Sequence, residues 1–90
     1  MEHSMEPHKI FCFKDDKSQT YGPPFCTETK GALIREVQTA LKSGQAIWAK
    51  HPQDFAIYEI GDYNPLTGTV SPHAQLNCLG LVQDFKESLD

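Results

Sequence analysis

Long apolar runs are missing from this 90-residue sequence; its uninterrupted apolar stretches, such as Ala56-Ile57-Tyr58, are a few residues long. A bilayer-spanning helix needs ~20, so none is expected. Met1–Lys9 is polar and no apolar segment follows it, which argues against a cleaved secretory leader and for a cytoplasmic protein. Cysteine is scarce: Cys12, Cys26 and Cys78 are three, an odd number, with no CxxC pair. That usage belongs to a reducing compartment. Cys12 in an apolar run and Cys78, with Leu76 and Leu79 on either side of it, read as small core residues. No feature places a histidine base beside any of the three, so a nucleophilic thiol has no support.

Basic residues are also in deficit, eight Lys and Arg against twelve Asp and Glu, for a net charge of −4. Affinity for nucleic acid comes chiefly from cations that neutralise phosphates, so any such role must be local. The few cations cluster, however. From Lys9 to Lys50 there are seven basic and four acidic residues, whereas from His51 to Asp90 there are one and six.

Catalytic and cofactor signatures are absent as well: the sequence has no GxGxxG, Walker lysine loop, GxSxG or HExxH. Its four histidines and three cysteines show no paired ligand spacing, and His51 and His73 are far apart. A structural metal, a cofactor and an enzymatic activity are therefore not expected.

The elements that are present make an α+β domain. Residues 1–8 read as a flexible arm or added segment, residues 9–82 as one domain, and residues 83–90 as a charged tail. Lys9–Lys14 has strand character, its aromatic and β-branched residues Ile10, Phe11 and Phe13 bounded by polar ones. Tyr21-Gly22-Pro23-Pro24-Phe25 reads as a loop, because the prolines remove backbone donors. Thr29 suits a helix N-cap, Leu33, Val37, Ala40 and Leu41 form one apolar stripe, and Gly44 suits the left-handed C-terminal position. Gln45–Asp54 reads as a loop carrying Trp48. Phe55–Ile60 is a strand, the turn Asn64–Gly68 follows, and Thr69–Ser71 returns as its partner, ended by Pro72. Leu76–Val82 is a further short strand or turn. The expected architecture is thus a small antiparallel sheet, in β-α-β-β order, covered by one helix. Its exposed edges and small core favour a homodimer or higher homo-oligomer.

Nine aromatic residues interleave with the cations, the combination that holds single-stranded nucleic acid by stacking and phosphate attraction. Phe11, Phe13, Phe55 and Tyr58 are most simply core residues, so Tyr21 and Trp48, both in loops, are the candidate stacking residues. Arg35, Lys42 and Lys50 are the candidate cationic patch. Arg35 also has an alternative as a partner of Glu36 or Asp54.

Tyr21–Phe25, Arg35, Lys50-His51-Pro52-Gln53-Asp54-Phe55, Glu59-Ile60-Gly61-Asp62-Tyr63, Thr67-Gly68 and Leu79-Gly80-Leu81 occur in an order that resembles the small non-structural protein of gokushoviruses. These are single-stranded-DNA bacteriophages of the microvirus group. The resemblance implies a DNA-binding protein of the host cytoplasm that assists the switch from genome replication to packaging. It leaves open an adaptor that contacts the phage replication initiator, the procapsid or a host factor without touching DNA.

Overall fold

The computed structural model describes residues 7–89, with side chains as far as Phe85. The expected arm lies mostly outside the described residues, and His8 already opens the first strand. In chain order the elements are β1 (His8–Asp15), β2 (Thr20–Tyr21), β3 (Phe25–Thr27), α1 (Lys30–Ser43), α2 (Ile47–Lys50), β4 (Phe55–Asn64) and β5 (Thr69–Leu81). A 3₁₀ turn at Pro52–Asp54 precedes β4, and a 3₁₀ helix at Val82–Leu89 follows β5.

The strands form one antiparallel sheet in the order β2-β1-β4-β5, with β3 also pairing β1. The α+β class holds, but strands dominate and two short ones precede the helix. Tyr21–Phe25 is therefore not wholly a loop. Its prolines occupy only the crossing from β2 to β3, and the backbone on either side regains partners on β1: Tyr21 opposite Lys14, Phe25 opposite Phe11.

α1 forms as its end signals require. The Thr29 hydroxyl accepts the Ala32 N–H at 3.0 Å, and Gly44, at φ 67°, donates its N–H to the Ala40 carbonyl at 2.8 Å. Leu33 and Val37 of its apolar stripe are fully buried and meet Phe11, Phe55, Ile57 and Val82 in the core. α1 does not cover this core alone, because Trp48 of α2 and Phe85 of the last 3₁₀ helix pack against the same cluster. Trp48 thus sits in a helical turn rather than in a loop. The segment expected as a charged tail is partly folded, and the Gln38 amide donates to the Phe85 carbonyl at 3.2 Å.

β5 runs straight through Pro72 rather than ending at it. A proline is tolerated there because β5 is the outermost strand and its missing N–H costs no ladder bond on the outer side. The strand is nonetheless irregular. Glu59 faces Asn77 while Gly61 faces Pro72, so residues 73–76 bulge out against the single residue Ile60. Ile60 is unmatched on the β1 side too, where Ile10 faces Gly61 and Phe11 faces Glu59. Bulges of this kind bend a sheet and redirect side chains.

Candidate nucleic-acid interface

Neighbouring residues of a strand point to opposite faces, and β1 uses this to build two different aromatic sites. Phe13 faces the helices. Its ring lies between Phe25, at 5.6 Å, and Trp48, at 4.3 Å, both stacked on it. Lys14 faces away from the helices. Its ammonium stands 5.5 Å from the Tyr21 ring centroid and 6.0 Å from that of Tyr58, and the two tyrosines meet edge to face at 5.5 Å. Register explains the gathering: Lys14 is paired with Tyr21 on one side, and Cys12, on the same face, is paired with Tyr58 on the other. Tyr58 in turn faces Cys78 of β5. Burial is the first cause that pushes the Tyr58 hydroxyl above its ordinary range, followed by its hydrogen bond and charge interaction with Cys78 and the charges of Tyr21 and Asp16.

The five residues singled out in the sequence are thus not brought together. Tyr21 is exposed and belongs to the Lys14 face, whereas the Trp48 ring is on the helix face, although both residues border one groove at the β2 edge. Arg35 and Lys42 are exposed on α1, and Lys50 is exposed at the end of α2. None of these three lines that groove or forms an ion pair among the described residues. Arg35 does not take Asp54 as partner, since Lys17 approaches that carboxylate at 3.7 Å. Lys9 likewise meets Asp62 at 3.1 Å. Two cations of the first half, Lys9 and Lys17, are thus paired with carboxylates of the second.

Lys14 and Tyr58 are the residues the sequence reading missed. Tyr58 was expected in the core, but it is half-exposed, because it points to the face opposite Ile57. The available signal was the alternation Cys12-Phe13-Lys14, which sets a lysine opposite a phenylalanine along the strand. Cys78 was also expected in the core; it is exposed, as is Cys26, and only Cys12 is buried. Burial pushes the Cys12 thiol up.

The bulges assemble another group. Glu59, Asp62 and His73 present ligand atoms within 4.8 Å of one another. His73 Nε2 is 2.8 Å from Glu59 Oε2, and Lys9 holds Asp62. Two carboxylates and an imidazole are a donor set suited to a divalent ion, but each is already satisfied by a protein partner. Sequence spacing could not reveal this group, since only the displaced 73–76 segment brings His73 over Glu59.

No helix among the described residues is long and apolar enough to cross a membrane. The profile of a family described as Phage ORF5 protein matches residues 8–85. No curated protein and no solved structure matches the chain.

Proposed function

The chain belongs to the Phage ORF5 protein family, and from that premise we propose that it binds single-stranded DNA weakly through the Lys14 face of its sheet. The observation that carries this reading is the cluster of Lys14, Tyr21 and Tyr58, a cation held over two rings on the face opposite the stack of Phe13 and Trp48. Bases stack on such rings with ~1–3 kcal/mol each, and an ammonium beside them attracts the phosphate between. With one cation in the cluster and a net charge of −4, affinity is low, and because about one counterion is released its salt dependence is shallow. Arg35, Lys42 and Lys50 lie outside the cluster and act in this reading only through their longer-range field.

The finer assignment follows from the residue pattern quoted above: a gokushovirus-type non-structural protein that works in the host cytoplasm, as a homodimer or higher homo-oligomer, at the switch from replication to packaging. It is read as a binding protein, not an enzyme.

Anisotropy of a labelled thymidine oligonucleotide, measured at low and moderate salt, tests the proposal. Lys14→Ala and Tyr21→Ala are each expected to weaken binding about tenfold, within the range of one lost base stack, while Tyr58→Phe keeps the ring and the affinity. Absence of wild-type binding at low salt, or binding indifferent to the first two substitutions, overturns it.

A further inference from the structure

The groove at the β2 edge shares Tyr21 with the Lys14 cluster, but the rest of its lining differs in chemistry. It holds about 520 Å³. Trp48 forms part of its floor, and the stack of Trp48 on Phe13 and Phe13 on Phe25 makes that floor rigid. Pro23 and Pro24 make one rim, fixed by their rings and by the Gly22 N–H, which donates to the Phe13 carbonyl at 2.7 Å. Tyr21 and Ile47 border it with 48% and 63% of their surface exposed, a large apolar outlay for a small protein.

Two carboxylates stand beside the groove. Asp15 lines it, and an adjoining hollow of about 230 Å³ shares Asp15, Ile47 and Phe55 with it and adds Asp54, Lys17 and His51. Asp15 Oδ1 accepts the Lys17 and Ser18 N–H groups, while Oδ2 has no hydrogen-bond partner among the described residues. Among the described residues the Asp54 carboxylate is met only by the exposed Lys17 ammonium at 3.7 Å, a surface pair that a better partner displaces.

We propose that this groove is a docking site for an extended, proline-containing peptide segment of a partner protein, with a basic side chain seated at Asp15 and Asp54. A trough walled by aromatic and proline rings takes the ridge of a polyproline II segment, which has already given up its backbone freedom, and the carboxylates set its direction. A phosphate chain is disfavoured by the same two carboxylates. The groove meets the Lys14 face at Tyr21, while Lys14 and Tyr58 do not line it.

The sequence's single tryptophan lines the groove, so its emission reports occupancy directly. The test titrates the full chain with a synthetic peptide of repeated proline pairs ending in arginine, and with the same peptide ending in glutamate. The arginine peptide is expected to shift Trp48 emission and the glutamate peptide to bind about tenfold or more weakly, as expected when a like charge replaces the complementary one. Ile47→Ser, at a position 63% exposed, should weaken binding about tenfold by removing apolar wall, and Asp15→Asn with Asp54→Asn should abolish the preference between the two peptides. No response to either peptide, or equal response to both, overturns the proposal. So does sedimentation in which Ile47→Ser dissolves a dimer, because the occupant is then a second copy. Lys14→Ala should leave the peptide titration unchanged and Ile47→Ser should leave oligonucleotide binding unchanged, so the two readings fail separately.

Discussion

Trp48 lies flat against Phe13, the ring centroids 4.3 Å apart and the planes 12° from parallel. The contact ties α2 to β1, and β1 is the strand from which both aromatic sites project.

Loosening that contact should cost stability. Phe13 is half-buried, so Phe13→Ala is expected to destabilise by about 2–4 kcal/mol, toward the lower part of the range for large aromatic truncations. Trp48 emission of the folded variant should move to longer wavelength. Urea unfolding followed by fluorescence and circular dichroism checks both, and a variant with the wild-type midpoint would show that the stack carries no weight.

Gly61 is required by proximity. A Cβ there would stand 2.7 Å from the Ser71 carbonyl oxygen and 3.1 Å from the Pro72 Cα, both backbone atoms. Gly61→Ala must therefore push β4 and β5 apart, at an expected cost of about 1–3 kcal/mol. Gly31→Ala, in the first turn of α1 with its nearest contact at 3.8 Å, should instead be neutral or stabilise by up to ~1 kcal/mol. Opposite signs in the two unfolding midpoints are the expected result.

His73 is the hydrogen-bond partner of Glu59, whose side chain is only 14% exposed. Truncating it strands a carboxylate in a poorly solvated place, and His73→Ala is expected to cost about 1–3 kcal/mol. Adding Glu59→Gln should cost less than the sum of the two single changes. A double-mutant cycle reads that coupling, and strict additivity would show that the pair is incidental.

Thiol chemistry separates the three cysteines. Cys26 and Cys78 should react promptly with a thiol reagent, whereas Cys12 should react only on unfolding. Burial raises the Cys12 thiol above 9.0, and burial with the Cys78 contact raises Tyr58 above 10.0. Both groups are neutral when protonated, so the unfolded chain loses these protons first as pH climbs. Their contribution to stability is whole below about pH 9 and is lost as pH rises through the folded-state values. Urea midpoints should fall across that window, with Cys12→Ala flattening the onset. A midpoint that climbs there contradicts this assignment.

Local signals in the sequence were enough for α1, because Thr29 and Gly44 bond within a few residues of themselves, and for the Asn64–Gly68 turn, where the Asn64 side chain accepts the Leu66 N–H at 2.9 Å. What escaped depends on distant partners. β3 exists because β1 offers a free flank to Phe25–Thr27, which no property of the Pro-Pro segment announces. β5 passes Pro72 because it is outermost. Phe85 packs inward from a segment whose composition is that of a solvated tail. For the candidate site, the interleaving of rings and cations was legible, but which ring joins which cation was not. Strand alternation sends Phe13 and Lys14 apart, and pairing register then gives Trp48 to one and Tyr21 to the other.

Val82, wholly enclosed, and Phe85 follow the last strand and close the core over Phe11, Leu33 and Val37. The sheet and α1 therefore leave their own interior unsealed, and a short stretch after β5 shuts it. A nick between Leu81 and Val82 is expected to open that interior and to loosen the whole domain rather than one end of it.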